Sequence, residues 1–205
     1  FRSALVARWL YEHLFLAHLH FSGGEAGHFF QMVRSRTPSG QPVDIIATRR
    51  PNDDPDTQFY YRLIPVQGVI VHKTHITYGL SAAKLERVKA LFFASDWQVE
   101  ALPGYGLQRR ANPFETFAAI PAQARYQFML DNAEYFVRTF IRGPVCRGQI
   151  ATDVIRDNFW AVFQDPSHDL YITDAQYREE ATPLLAMPGQ LDTLIDLPGL
   201  WRTYR

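Results

Sequence analysis

The chain has 205 residues, of which 47% are apolar, and its 21 lysines and arginines balance its 21 aspartates and glutamates. This length and apolar content are sufficient for a hydrophobic core in one large or two small domains. The zero net charge excludes a summed electrostatic attraction to nucleic acid or to an anionic lipid surface. No apolar run in the sequence is long enough for a transmembrane segment. The single cysteine, Cys146, excludes an intrachain disulfide and a cysteine-rich metal site.

The first predicted element is an apolar helix that contains three histidines. Residues 9–21 carry His13, His18 and His20 among mostly apolar neighbours, which indicates a helix inside a larger body. At about 3.6 residues per turn, His13 and His20 lie on one stripe of this helix and His18 does not, so a common three-histidine site is not expected. A structural hydrogen bond to Glu12 or to a backbone carbonyl is the alternative to a ligand role.

Short β-type runs separated by turn residues predict a small antiparallel sheet over about residues 28–72. The loops between the runs are rich in proline, asparagine, aspartate and glycine, which favour turns. The four predicted strands are Phe29–Ser35, Val43–Thr48, Phe59–Ile64 and Val69–His72.

A second histidine cluster follows the last of these strands, where His72 and His75 occur in the string VHKTH. Strand ends often carry functional residues. Two imidazoles three residues apart lie on opposite faces of a strand, however, so their spacing does not itself define a pair of metal ligands. Hydrogen-bonded structural histidines are the alternative.

The second half of the chain is predicted to be mainly helical. Ser81 is the predicted N-cap of a helix from Ala82 to about Phe93. Pro121 begins a long helix that ends at Gly143-Pro144. Three further elements are predicted: a strand over 97–102, a partner helix over about 147–163, and a weak helix after residue 167. These elements together predict one α+β unit over residues 1–205, with a small sheet packed against several helices that include the long helical pair.

The predicted turn between the two long helices contains Arg142 and Arg147. Backbone N–H groups at the start of the second helix, together with Arg147, could hold a carboxylate or a phosphate. The alternative is a structural turn in which the arginines meet Asp153 or Asp157. Cys146 has no activating neighbour in the sequence, which favours a buried structural thiol over a nucleophile. The common hydrolase, kinase, dinucleotide and zinc-protease motifs are absent from the sequence.

Four segments, in the same order, resemble the middle portion of bacterial fatty acid cis/trans isomerases. Members of that family are periplasmic c-type haem proteins that convert cis double bonds of membrane fatty acyl chains to trans without moving the bond. The resemblance therefore implies an isomerase, with haem c as cofactor. The segments are residues 9–21 (WLYEHLFLAHLHF), 34–55 (RSRTPSGQPVDIIATRRPNDDP), 71–75 (VHKTH) and 142–160 (RGPVCRGQIATDVIRDNFW).

The sequence departs from the family in one respect, because family members attach haem through a CxxCH sequence that this chain lacks. The resemblance thus implies a segment of a larger multidomain protein, downstream of the haem module and inactive alone. It implies a periplasmic location and two partners, namely unsaturated fatty acid or phospholipid acyl chains and the haem-bearing region of the same protein. His72 and His75 are the candidate catalytic residues, because they end a strand next to Tyr78. The candidate cofactor-binding residues are His13, His20, Arg142 and Arg147.

Two other functions fit the same residues. A non-catalytic lipid-binding or scaffolding domain would present acyl chains to a separate haem module, and it would need the same apolar channel. A mononuclear metal hydrolase would require four histidines to converge within metal-bond distance. Those histidines are His13, His20, His72 and His75.

Overall fold

The computed structural model describes residues 1–71, 74–142 and 162–187. Its strands are β1 (Ala17–Phe21), β2 (Phe30–Ser35), β3 (Tyr60–Pro65) and β4 (Ile76–Leu80). Its helices are α1 (Arg2–Leu14), α2 (Ala82–Phe93), α3 (Leu107–Ala111), α4 (Pro113–Thr116), α5 (Ala122–Asp131), α6 (Ala133–Arg142), α7 (Leu170–Thr173) and α8 (Ala175–Ala181). Two 3₁₀ turns span Pro166–His168 and Thr182–Leu185. A small sheet with many helices confirms the predicted α+β class.

The histidine-rich segment at the start of the chain is a helix followed by a strand, so the predicted helix over residues 9–21 is wrong in its second half. Helix α1 ends at Leu14 and β1 begins at Ala17. Ala17 and Leu19 are buried, whereas His18 and His20 between and after them are only partly buried. This alternation with a period of two residues is typical of a strand, and it outweighs the helical spacing that holds up to Leu14.

The sheet is mixed, with strand order β3-β2-β1-β4. Strand β2 is antiparallel to β3, in keeping with the predicted antiparallel sheet, and it is also antiparallel to β1. Strand β1 pairs in parallel with β4, and neither β1 nor β4 was predicted as a strand. The predicted strand Val43–Thr48 contributes only an isolated bridge between Ser35 and Ile45. Residues 69–71 form no strand, and His72 lies outside the described residues.

A buried arginine holds the loop between β2 and β3. Arg34 on β2 is 1% exposed. Its guanidinium donates to Thr48 Oγ1 at 2.5 Å and to the carbonyl oxygen of Asp53 at 2.7 Å. Its own carbonyl oxygen accepts from the backbone N–H of Ile46 at 2.9 Å. Strand β3 pairs with β2 along its whole length, so residues 43–48 contact only the end of β2.

The hydrophobic core lies on the inner face of the sheet, where α1, α2, α5 and α6 cover it. Burying a large apolar side chain stabilises the fold by about 1.5–3 kcal/mol, so a cluster of this size supplies most of the favourable free energy. The largest fully buried apolar members are Leu5, Leu19, Phe92, Phe117, Ile120 and Phe128.

The helical half agrees with the sequence at α2 and differs at the long helix. Ser81 caps α2, because its side chain accepts a hydrogen bond from the backbone N–H of Lys84 at 3.1 Å. The predicted helix from Pro121 to Gly143 is interrupted at Asn132, which separates α5 from α6. Asn132 is buried, and its side chain donates to the carbonyl oxygen of Phe128 at 2.8 Å. Local side-chain bonding of this kind competes with helix continuation.

Residues 97–102 form no strand, and Trp97 instead donates its indole N–H to the carbonyl oxygen of Phe92 at 2.8 Å. After residue 161 the described chain forms only the short helices α7 and α8 and the two 3₁₀ turns. The partner helix predicted over 147–163 lies almost entirely outside the described residues, as do Cys146, Asp153 and Asp157. Within the described ranges, no helix combines the length and the apolar character needed to cross a membrane.

Candidate functional site

The outer face of the sheet carries a cluster of imidazole rings. His18 and His20 are two residues apart on β1, so both project from the face opposite the buried Ala17 and Leu19. His75 precedes β4, and its Nδ1 lies 2.7 Å from Nδ1 of His18. A hydrogen bond between these atoms requires that one nitrogen carries the proton and the other accepts it. The two rings therefore share one proton across the gap.

Phe29 and Gly79 shape the surroundings of these rings. The ring of Phe29 meets that of His75 nearly edge-on, at 85° and 4.5 Å between centroids. Its centroid lies 6.4 Å from that of His18 and 6.1 Å from that of His20. Gly79 pairs with His20 across the two parallel strands, and a Cβ at Gly79 would lie 3.2 Å from Cε1 and Nε2 of His20. Glycine therefore makes room for the His20 ring.

The histidine cluster is suited to sharing a proton. Burial lowers the pKa of His18, which favours its neutral form.

In the described part of the chain, no group of three or more histidine, cysteine, aspartate or glutamate residues is placed to hold a metal ion. The four-histidine metal centre therefore has no support from its described members, because His13 lies on α1 inside the protein and His20 on the outer sheet face.

His13 occupies a different environment, on the inner side of α1. Its Nδ1 lies 2.7 Å from the carbonyl oxygen of Trp9, which can only accept, so Nδ1 carries the proton and Nε2 keeps its lone pair. Burial, with a smaller effect of the charge on Arg125, lowers the pKa of His13 to about 4 despite the hydrogen bond to Trp9. His13 is therefore a neutral imidazole near pH 7. The predicted structural partner was Glu12 or a backbone carbonyl, and the structure selects the carbonyl.

Two apolar cavities lie on either side of α1. We call the cavity that Trp9 and His13 line the helical cavity; its volume is about 730 Å³, and α1, α5, α7 and α8 form its walls. We call the cavity that Leu10 and Leu14 line the sheet cavity; its volume is about 520 Å³, and α1, α2 and the sheet form its walls. Both volumes are within the range of about 300–1,000 Å³ that is typical of small-molecule sites.

A polar group lies at the wall of the sheet cavity. The hydroxyl of Tyr78 donates to Oδ1 of Asn132 at 2.9 Å, and Nζ of Lys84 donates to the same oxygen at 3.2 Å. Nζ also lies 3.9 Å from the centroid of the Tyr78 ring, a cation–π contact. Burial raises the pKa of Tyr78 to about 12, so its hydroxyl stays protonated and remains a donor. Lys84 is thus a cationic group in the mainly apolar lining of the sheet cavity.

The structure brings together only some of the predicted site residues. His20 and His75 both contact the ring of Phe29 on the outer sheet face, and His75 also contacts His18, which was not a predicted site residue. His13 lies elsewhere, on α1. His72, Arg147 and the side chain of Arg142 lie outside the described residues.

Sequence reasoning missed Lys84, Tyr78 and Asn132. The N-cap at Ser81 indicates that Lys84 is in the first turn of α2, but no signal in the sequence places it beside Asn132, which is 48 residues away.

The fold and these two cavities define an α+β protein with mainly apolar clefts of a size that suits a small ligand. The family model for fatty acid cis/trans isomerase matches residues 1–205, so the chain belongs to that family. This match confirms the resemblance found in the sequence, and it indicates an isomerase that acts on fatty acids. No curated protein and no solved structure matches the chain.

Proposed function

We propose that the full-length protein containing this chain converts cis double bonds of unsaturated membrane fatty acyl chains to trans without moving the bond, with the assistance of haem iron. In this proposal the chain encloses the acyl chain beside the haem-bearing region of the same protein, in the periplasm. The observation that carries the proposal is the family match over all 205 residues. The two mainly apolar cavities next to α1 support it, because their linings suit hydrocarbon.

The reaction requires a temporary loss of π-bond order, so that the chain can rotate about the double bond. Acid–base groups would tend to shift the bond instead. When bound, an oxidised haem iron can withdraw electron density from an alkene. The trans product is more stable, so neither ATP nor a nicotinamide cofactor is needed. The task of the protein is then to hold the acyl chain in an apolar, water-free space.

Among the described residues, His13 fits the role of an iron ligand. A ligating histidine usually donates its other ring N–H to a carbonyl or carboxylate, which fixes the tautomer, and Nδ1 of His13 does so toward Trp9. The imidazole is neutral, as a ligand must be, and it lines the helical cavity. Arg125, a buried cation in the same lining, would supply positive charge for carboxylates of the cofactor. His20 lies away from this cavity, on the outer sheet face.

His75 and His72 stay the candidate catalytic residues of the isomerase. His75 shares a proton with His18 on the outer face of the sheet, on the opposite side of β1 from the sheet cavity. An acyl chain that reaches His75 would therefore bind outside the two apolar cavities. Substitutions of His13 and of His75 test whether the reaction takes place at the helical cavity or at the outer histidine cluster.

The test is to express the full-length reading frame in a host that matures c-type cytochromes and to analyse cellular fatty acids by gas chromatography. We expect trans isomers to appear at the expense of cis isomers, with the position of the double bond unchanged. His13→Ala should lower turnover by at least about tenfold and change the haem absorption spectrum, because an iron ligand is lost. His28→Ala is the control, because His28 is exposed and forms a surface ion pair with Glu25.

Three other outcomes would change the proposal. An unchanged fatty acid profile from a haem-loaded protein that still binds acyl chains would favour the non-catalytic lipid-binding domain. Loss of turnover in His75→Ala, with an unchanged haem spectrum, would locate the chemistry at the outer histidine cluster, and the same loss in His72→Ala would support His72 as a catalytic residue. A normal spectrum in His13→Ala would remove His13 as a ligand.

A further inference from the structure

The mouth of the sheet cavity exposes large apolar side chains to solvent. Phe21 is 45% exposed, Leu63 is 40% exposed and Leu85 is 54% exposed, and all three line the cavity. Contiguous apolar surface of this kind usually marks a binding site. The inner wall continues this surface with Leu19 and Met32 from the sheet. The shape and lining of this cavity therefore suit a flexible hydrocarbon.

The cationic group of the cavity has hydrogen-bonding capacity left for a ligand. An ammonium group has three N–H donors. The ammonium of Lys84 donates one of them to Oδ1 of Asn132, and it also lies over the face of the Tyr78 ring. In the described part of the chain, no carboxylate forms an ion pair with Lys84. Asp131, whose charge acts on it, is engaged by Arg87 at 2.6 and 3.2 Å and by Gln127 at 2.8 Å.

Burial lowers the pKa of Lys84, which means that its charge is incompletely compensated in the folded protein. The other cation in the lining, Arg62, is already committed. Its guanidinium donates to the carbonyl oxygens of Thr37, Pro38 and Gln41. Lys84 is therefore the group in this lining that an anionic ligand would reach.

We propose that the sheet cavity binds an unesterified long-chain fatty acid, with the carboxylate on Nζ of Lys84 and the hydrocarbon between α2 and the inner face of the sheet. The choice of a fatty acid among anionic amphiphiles rests on the proposed function. A single ammonium suits one carboxylate, whereas an esterified chain has no charge at this position. A phosphate group would favour several donors or an arginine fork. The site thus selects the free acid over the intact phospholipid.

The test compares the binding of oleate and of methyl oleate to the purified protein by equilibrium dialysis. Lys84→Met keeps the length of the side chain and removes the charge. We expect it to weaken oleate binding by about ten- to a hundredfold, the range for a lost charge-assisted hydrogen bond, and to leave methyl oleate binding unchanged. Lys84→Arg should restore part of the oleate affinity. Lys89→Met is the matched control on the same helix, because Lys89 is exposed and pairs with Glu86 at 2.9 Å.

The outcomes separate this site from the isomerase function. Unchanged oleate binding in Lys84→Met, or an equal loss of both ligands with an unchanged unfolding midpoint, would overturn the site. Binding to dioleoylphosphatidylcholine vesicles without binding of free oleate would also overturn it. Oleate binding that depends on Lys84 in a haem-loaded protein that makes no trans product would uphold the site while the proposed function fails. If the protein makes trans product and Lys84→Met does not change oleate binding, the proposed function stands and the fatty acid site at Lys84 is wrong.

Discussion

Polar side chains in the interior of this protein are held mainly by backbone carbonyls. Arg8 donates to the carbonyl oxygen of Pro103 at 2.7 Å as well as to Glu12, and Arg34 donates to that of Asp53. His13 does the same toward Trp9. Each bond offsets the cost of removing a polar group from water. In His13 the same bond also fixes which ring nitrogen stays available, so one contact has both a structural and a chemical consequence.

The pKa of His13 predicts a pH-dependent stability. An unfolded histidine titrates near 6.5, whereas the pKa of folded His13 is about 4. Between these values the unfolded chain binds a proton that the folded chain does not, so stability is lost as the pH falls through this window. We expect His13 to contribute a loss of about 2.5 kcal/mol in the free energy of unfolding between about pH 7.5 and about pH 4.5, measured by urea denaturation.

The control for this prediction is His13→Gln, which lacks the titrating ring. Other groups titrate over the same range, including His18, so the quantity to compare is the difference in pH dependence between wild type and variant. Equal pH dependence in the two proteins would contradict the neutral, buried state of His13.

At the level of elements, the break between α5 and α6 positions the polar group of the sheet cavity. Asn132 ends α5 with its side chain on the carbonyl oxygen of Phe128, and the same amide accepts from Tyr78 and Lys84. A continuous helix through this position would be compatible with the apolar spacing alone. The interruption is explained by the three hydrogen bonds that the amide makes, of which two come from β4 and α2.

Replacing Asn132 with alanine should therefore destabilise the protein by about 1–3 kcal/mol, because the buried hydroxyl of Tyr78 loses its acceptor. The measurement is urea unfolding of Asn132→Ala, Tyr78→Phe and the double variant. In the Tyr78→Phe background the Asn132 substitution should cost less, since no buried donor is left unpaired. Additive effects of the two substitutions would argue against the coupling.

At the level of the whole molecule, α1 is the wall between two cavities with different chemistry. Trp9 and His13 face the helical cavity, and Leu10 and Leu14, one position further along the helix, face the sheet cavity. Neighbouring positions on a helix point about 100° apart, so one helix can serve both sides. Lys84 and His13, the two residues on which the proposals depend, thus line different cavities next to one helix.

Filling each cavity separately tests this division. Leu85→Trp places a larger side chain at the mouth of the sheet cavity and should weaken oleate binding by about tenfold or more, because the added volume excludes the acyl chain. Met129→Trp places the same side chain in the helical cavity and should leave oleate binding unchanged. Dialysis measures both. A loss of oleate binding in Met129→Trp alone would move the acyl site to the helical cavity.

Local signals in the sequence predicted the elements that local chemistry determines. The α+β class, the Ser81 cap of α2 and the strands that became β2 and β3 are confirmed. The errors occur where distant residues decide. Strand β4 was not predicted because its burial comes from pairing with β1, and the predicted strand at residues 43–48 forms only one bridge because β3 pairs with the whole of β2.

For the candidate site, too, some features follow from the sequence and others only from the tertiary structure. Strings of residues along the chain were sufficient for the family resemblance, since such strings need no three-dimensional arrangement, and the family match confirms it. The sequence alone also determined the balanced charge, the single cysteine and the histidine content. Only the tertiary structure decided that His18 contacts His75 and that His13 is a neutral imidazole beside the helical cavity. It also decided that Lys84 lines the sheet cavity. The physical reason is that protonation state and free hydrogen-bonding capacity depend on burial and on partners far apart in the chain.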